Sequence, residues 1–146
     1  QDAVCNQAAG LYTPAQVAAW AGLPARSGAL QQALRDGFGL ASTGGTGAGA
    51  EASAPIEAFG ILDPPDRLAL LYCRGRSCRQ GRSSAILTAL EQHATLLGIS
   101  RLRTEASQLS RPLLSRRGWR VENGERVLFA GEWFERWRMI KDLHTP

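Results

Sequence analysis

The segment best equipped for chemistry is an apolar strand, a glycine-containing loop and an amphipathic helix in immediate succession. Leu68 to Cys73 supplies the strand, and Arg74-Gly75-Arg76-Ser77-Cys78-Arg79-Gln80-Gly81-Arg82-Ser83-Ser84 supplies the loop and the entry to the helix. A loop that runs into a helix in this way aims several backbone N–H groups at one point, where the helix dipole adds partial positive charge. Phosphate is the obvious guest; a solvated, arginine-rich turn that merely caps the helix is the competing reading. The pattern is not a Walker loop, because no Gly-Lys-Ser/Thr follows, and not the dinucleotide fingerprint, because the spaced glycines are missing.

Charge points the same way. Residues 67–120 hold eleven arginines against Glu91 and Glu105, a net +9, whereas residues 1–66 sum to −4 and residues 121–146 to −1, within an overall +4. Such a field reports the sign of a partner and not its identity, so nucleic acid, an anionic membrane surface and a phosphate-bearing cofactor stay open on charge alone. Cys5, Cys73 and Cys78 are odd in number without metal-type spacing, and His93 and His144 are the only histidines. Neither a disulfide scaffold nor a metal site is expected. At 146 residues and 44% hydrophobic composition, residues 1–146 fit one domain with a core of its own. No stretch comes near the ~18 uninterrupted apolar residues of a membrane span. Gln1-Asp2-Ala3-Val4-Cys5 lacks the layout of a signal peptide, so a soluble, cytoplasmic protein with no membrane partner is expected.

The positioning elements follow from period and punctuation. Thr13-Pro14 reads as an N-cap and a proline at the first helical position, with the helix running through Trp20 to Gly22. A second short helix spans Ser27 to Arg35, and a weak strand spans Asp36 to Ala41. Residues 42–55, rich in Gly, Ala, Ser and Thr, read as a flexible loop or hairpin tip. Ile56 to Leu62 and Leu68 to Cys73, separated by Asp63-Pro64-Pro65-Asp66, predict an antiparallel hairpin. Its second strand is apolar on both faces, as a central strand covered on each side would be. Ile86, Leu87, Leu90, Ala94 and Leu97 fall at helical spacing before the terminator Gly98, giving a core-facing helix of about four turns. Arg101 to Ala106 alternates as a strand, and Ser110-Arg111-Pro112 opens a short helix closed by Gly118. Strands near Trp119 to Val121 with Arg126 to Phe129, and Trp133 to Ile140, end the chain. The mixture of hairpins with a strand-helix-strand unit gives an α+β, mixed α/β domain of three layers.

Five segments also stand in a recognisable order. They are Leu71-Tyr72-Cys73, then Cys78-Arg79-Gln80-Gly81-Arg82-Ser83 and Ser84-Ala85-Ile86-Leu87; Arg101 to Ser107; Arg111 to Trp119; Trp137 to Lys141; and, near the start, Leu11 to Gln16 with Ala19-Trp20. Together they resemble the GNAT superfamily of acetyl-CoA-dependent N-acetyltransferases. That pattern is a strand ending Leu-Tyr-Val, a short turn, Arg/Gln-x-x-Gly-x-Gly/Ala, and a helix beginning Ser-Ala-Leu-Leu. The resemblance implies a central mixed, mostly antiparallel sheet flanked by helices. The family's first strand would precede Gln1, so either residues are missing from the sequence or the sheet edge is filled by something else, such as a partner subunit, which raises a homodimer as one expectation.

The resemblance also implies roles. The strand at Leu71, Tyr72 and Cys73 would splay from the strand at Thr104 to Ser107 and pair with the pantetheine arm of acetyl-CoA. Cys78, Arg79, Gln80, Gly81, Arg82, Ser83 and Ser84 would wrap the pyrophosphate, and Ser107 and Ser110 would sit at the thiol end. An amine, on a small molecule or a peptide, would attack the thioester directly, helped by a base and by oxyanion donors. Glu105 is the candidate base or cation guide, with a salt bridge to a neighbouring arginine as the alternative; Glu57 and Glu132 are weaker candidates, expected to be solvated. Tyr12, Trp20, Trp133 and Trp137 could line an acceptor pocket or serve simply as core. A covalent acyl-cysteine at Cys73 or Cys78 is disfavoured against direct transfer, and His93 is expected on the helix surface.

Three positions depart from the family pattern. Cys78 stands where Arg or Gln is usual, Ser83 replaces the second motif glycine, and Leu114 takes the place of a tyrosine that protonates the departing thiolate. These motivate an alternative, a catalytically degenerate domain that binds coenzyme A or a protein partner without turnover. A nucleic-acid binder ranks below both, because the arginines are not interleaved with aromatics and no recognition motif occurs.

Overall fold

The computed structural model describes residues 2–44 and 54–144. Four helices come first: α1 (Asp2–Gln7), α2 (Pro14–Ala21), α3 (Leu23–Arg26) and α4 (Gly28–Asp36). Thr13 caps α2 as its sequence requires: its hydroxyl accepts from Gln16 N at 3.2 Å while the Gln16 side chain accepts from Thr13 N at 2.9 Å. The expected helix from Ser27 is α4, with Ser27 as its N-cap; the extra turn α3 starts at Leu23-Pro24, where proline occupies the first turn.

Six strands form one sheet in the order β1-β2-β3-β4-β6-β5. They are β1 (Phe38–Thr43), β2 (Ile56–Asp63), β3 (Arg67–Cys73), β4 (Arg101–Ser107), β5 (Arg120–Phe129) and β6 (Glu132–Asp142); α5 (Arg82–Leu96) and α6 (Arg111–Arg116) follow β3 and β4. Only β3 and β4 are parallel, so the sheet is mixed and mostly antiparallel. Alternation divides the layers. Ala58, Leu68 and Cys73 join the core beneath α5, while Phe59 and Tyr72 face the cavity walled by α2 to α4 on the opposite side. No helix among the described residues is long and apolar enough to cross a membrane.

Three boundaries differ from the sequence reading. Ser42 and Thr43 belong to β1, paired with Ala58 and Ile56, because extended pairing overrides a loop-like composition; residues 45–53 of the expected flexible loop lie outside the described residues. The last strands are longer than expected: Glu122 to Glu125, polar, containing Gly124 and left out of the expected strand, continues β5 through an irregularity between Val121 and Asn123. An edge strand with an exposed face needs no apolar alternation there. Leu97 is 65% exposed because α5 ends at Leu96 and Gly98, at φ +76°, turns the chain away. Ile99 packs on the core in its place.

The core centres on Leu87, Leu90, Leu102, Leu114 and Met139, all 0% to 2% exposed. Helix α5 approaches β2 closely at Gly60. An added Cβ there would lie 2.8 Å from Leu90 Cδ1 and 2.9 Å from Ile86 Cγ2. Gly60→Ala is therefore expected to destabilise by about 1–3 kcal/mol through overpacking. Denaturant titration checks this, and an unchanged midpoint would mean that α5 can shift at no cost.

Candidate active-site cleft

Strands β3 and β4 part after one rung. Arg67 pairs with Arg103, Arg103 N donates to Asp66 O at 2.9 Å, and Thr104 Oγ1 donates to Leu68 O at 2.7 Å. Beyond that point the register shift opposite Ile61/Leu62 adds a residue to β3, and a bulge of this kind turns a strand out of line. The strands separate, and the gap opens into a cleft of about 660 Å³.

The cleft ends at the start of α5. Gly81 is its N-cap, at φ +76°, and no side chain caps the helix. The N–H groups of its first turn, Arg82 to Ser84, thus point outward without a side-chain acceptor. Arg79, at φ 62°, is also left-handed, and this pair of turns bends the chain out of β3 and back into α5.

Most sequence-predicted residues line this one cleft. Leu71, Tyr72, Cys73 and Cys78 border it beside β3; Arg79, Gly81, Arg82, Ser83 and Ser84 border it at the helix; Glu105, Ser107 and Ser110 border it from β4 and its exit. Gln80 does not: its Nε2 donates to Arg76 O at 3.3 Å on the exposed side of the loop. Arg82 also has structural work, donating from Nη1 to Ser42 Oγ at 2.7 Å and Thr43 O at 3.1 Å. Ser83 lies inside the first turn of α5, and Leu114 is buried at the cleft wall with no hydroxyl to offer.

Two candidates carry additional bonds. Glu105 Oε2 accepts from Arg67 Nε at 2.9 Å, so the salt bridge anticipated as an alternative is present while the carboxylate still borders the cleft. Ser107 and Ser110 cap each other, Ser107 N to Ser110 Oγ at 3.0 Å and Ser110 N to Ser107 Oγ at 3.1 Å. Their hydroxyls are 3.1 Å apart.

The aromatic candidates separate. Trp20 borders the cleft, and its Nε1 donates to Tyr72 Oη at 3.3 Å. Tyr12 stands behind it, edge-on at 5.3 Å, with its oxygen accepting from Gln108 N at 2.9 Å. Burial pushes the phenols of Tyr12 and Tyr72 upward in pKa, opposed by the N–H groups of Gln108 and Trp20. Trp133 is half exposed on β6 under the Arg126 guanidinium and does not border the cleft. Trp137 is half-buried beneath Arg111.

Two expectations about polar side chains are corrected. Glu57 is not solvated: it is 5% exposed, and its carboxylate accepts from Arg76 Nε at 3.1 Å and from the Arg76 Nη2 and Ser77 Oγ donors. These donors, Arg76 first, hold its pKa at about 2. Its backbone oxygen also accepts from Arg74 N at 2.8 Å, so this one residue clamps the loop between β3 and α5. His93 is not free on the helix surface either, because its ring stacks on Phe38 at 3.5 Å. Glu132 is half-buried on β6.

Cys78 is held as a neutral thiol. Burial, with Cys73 adding to it, pushes the Cys78 thiol up to about 11. As a thiol its Sγ donates to Arg74 O at 3.2 Å, and at neutral pH it is a poor nucleophile. Sequence reasoning missed Gln7, which borders the cleft and donates to Cys73 O, and Arg116, which adds a cation from α6. Gln7 sits in no motif, Arg116 lies in the Arg111 to Trp119 segment without an assigned role, and only the tertiary fold brings them to the gap.

No protein-family model and no curated protein matches the sequence. Solved structures do match. A GCN5-related N-acetyltransferase from Rhodopseudomonas palustris superposes with a TM-score of 0.84 at 22% identity, covering 97% of this chain and 84% of that one. The PaiA N-acetyltransferase of Thermoplasma acidophilum, in complex with coenzyme A, gives 0.70 at 16% identity over 97% and 86%. A GNAT family acetyltransferase from Elizabethkingia anophelis with acetyl-CoA bound gives 0.61 at 15% identity over 92% and 94%. With its mixed sheet parted between β3 and β4 and its uncapped helix at the end of the gap, the chain has the fold of the GNAT acetyltransferases.

Proposed function

We propose that the chain is an N-acetyltransferase that moves an acetyl group from acetyl-CoA to an amine by direct attack, with both substrates bound together. The observation that carries this reading is the polarity of the cleft. One wall is a strand edge running from Leu70 to Cys73, and its end is an uncapped helix N-terminus among arginines. A ligand with an amide-bearing arm and a phosphate terminus matches that order. Two structures of the same fold contain coenzyme A or acetyl-CoA, which supports the same identification.

Bound there, acetyl-CoA would supply the thioester carbonyl as electrophile. The first-turn N–H groups of α5, with the Arg79 and Arg116 guanidinia, hold the phosphates. The cleft-facing edge of β3, where Gln7 already donates to Cys73 O, would orient the arm as a neighbouring strand would. Glu105, steadied by Arg67 at Oε2, draws in the cationic acceptor and takes its proton. As nitrogen bonds to the carbonyl carbon, the carbon–sulfur bond would break and the nitrogen's second proton would leave to solvent. Leu114 offers no proton, so the thiolate takes one from solvent.

The second reading, binding without turnover, is favoured by that same leucine and by the Arg67 contact to Glu105. One experiment separates the readings. Acetyl-CoA at 100 times its dissociation constant should add roughly 2.7 kcal/mol of stability, seen as a rise in melting temperature; no rise at millimolar ligand removes the cofactor assignment. Thiol release with a panel of amines then distinguishes enzyme from binder. Glu105→Gln should lower kcat about 100-fold or more while leaving the acetyl-CoA stabilisation intact, and unchanged turnover would remove Glu105 from the mechanism.

A further inference from the structure

A second cavity, of about 310 Å³, lies on the helical side of β2 and β3. Its walls are Phe59, Leu70 and Tyr72 from the sheet and Trp20, Leu23 and Leu30 from the helices. The polar groups among them are already engaged. Trp20 Nε1 and Tyr72 Oη bond each other, the Glu57 carboxylate, also on the lining, is consumed by Arg76 and Ser77, and Arg74, the other charged lining residue, is engaged as well. Trp20, Leu70, Tyr72 and Cys73 border both this cavity and the acetyl-transfer cleft, so the two spaces share a wall where β3 leaves β4.

We propose that this cavity receives the body of the acceptor, and that the acceptor is therefore a primary amine carried on an uncharged aromatic or branched aliphatic group. The inference rests on the acetyltransferase reading and deepens it. The volume is at the small end of ligand pockets, about 300–1,000 Å³, and suits one ring. An apolar wall rewards an apolar guest by removing its surface from water. A second ammonium, an amino-sugar ring or a lysine side chain on a peptide backbone would instead lose hydration without gaining a partner. The amine itself stays at the shared wall, toward Glu105, and only the carbon body enters.

The experiment uses the full chain and two readouts. Isothermal titration of 2-phenylethylamine, with and without coenzyme A, measures the cavity alone. Thiol release measures KM for 2-phenylethylamine and isoamylamine against ethanolamine, putrescine and a lysine-containing peptide. The apolar amines should have KM values at least about tenfold lower, the scale on which apolar pockets discriminate. Ala21→Leu would fill the cavity from α2, and Leu34→Asp would place a charge on a wall residue that is already 52% exposed. Each should raise the apolar-amine KM about tenfold and leave the acetyl-CoA stabilisation unchanged.

Acetyl-CoA stabilisation with equal or better turnover of the polar amines would overturn the proposal while sparing the acetyltransferase reading. No acetyl-CoA stabilisation together with phenylethylamine binding that Ala21→Leu abolishes would overturn that reading and keep the cavity assignment. Absence of phenylethylamine binding under either condition overturns the proposal.

Discussion

Glu91→Ala is expected to destabilise the protein by about 3 kcal/mol, the lower end of what breaking a buried ion pair from one side costs. Glu91 is a buried carboxylate on α5. Its Oε1 accepts from Trp119 Nε1 at 2.9 Å and its Oε2 from Lys141 Nζ at 2.7 Å. Alanine would strand the Trp119 N–H, on a residue only 3% exposed, and leave the ammonium without its counter-charge. Lys141, with 22% of its side chain accessible, can turn partly to water, which keeps the cost at that lower end. Glu91→Gln should cost less, because the amide oxygen still accepts from Trp119. Guanidinium unfolding of the three proteins checks the order, and a loss under 1 kcal/mol for alanine would show the two partners finding replacements.

The second large effect should appear in ligand affinity. Glu57→Gln removes the charge that holds Arg76 and weakens the acceptor for Ser77, which is itself buried. The loop between β3 and α5 then loses its fixed position relative to the helix N-terminus. Misplacing a binding group by about 1 Å costs on the order of 100-fold where geometry matters, so acetyl-CoA affinity should fall by between about tenfold and that value. Titration calorimetry measures it, and an unchanged affinity would make the clamp irrelevant to binding. The same residue gives a pH signature. Its pKa is lowered from 4.5 to about 2, so its contribution to stability is complete above about pH 4.5 and is lost as the pH falls toward 2. Acid unfolding of the wild type should include this loss, and Glu57→Gln should lack it.

Local signals carried most of the architecture. The Thr13-Pro14 cap, the Pro64-Pro65 turn and the spacing from Ile86 to Ala94 each act within one or two helical turns of chain, and each places its element correctly. The entry to α5 was legible for a related reason: strand, loop and helix are contiguous, so their order already fixes where the N–H groups point, whereas the parting of β3 from β4 was expected only from the family resemblance. Polar side chains were less legible. Glu57 and Glu91 carry no mark in the sequence of being buried, because the Arg76 loop and the Trp119 and Lys141 partners are set by long-range packing. Trp133 failed in the opposite direction. An aromatic residue on a strand suggests a pocket, yet β6 presents this one to solvent beside Arg126.

The single rung between Arg67 and Arg103 makes the sheet two ribbons, β1-β2-β3 and β4-β6-β5, and leaves their backbone network unfinished. Helix α5 and Glu91 hold the ribbons together by side chains, where an ordinary sheet would use main chain. A ligand lying along β3 would act as a surrogate strand, so recognising it and completing the fold would be one and the same event.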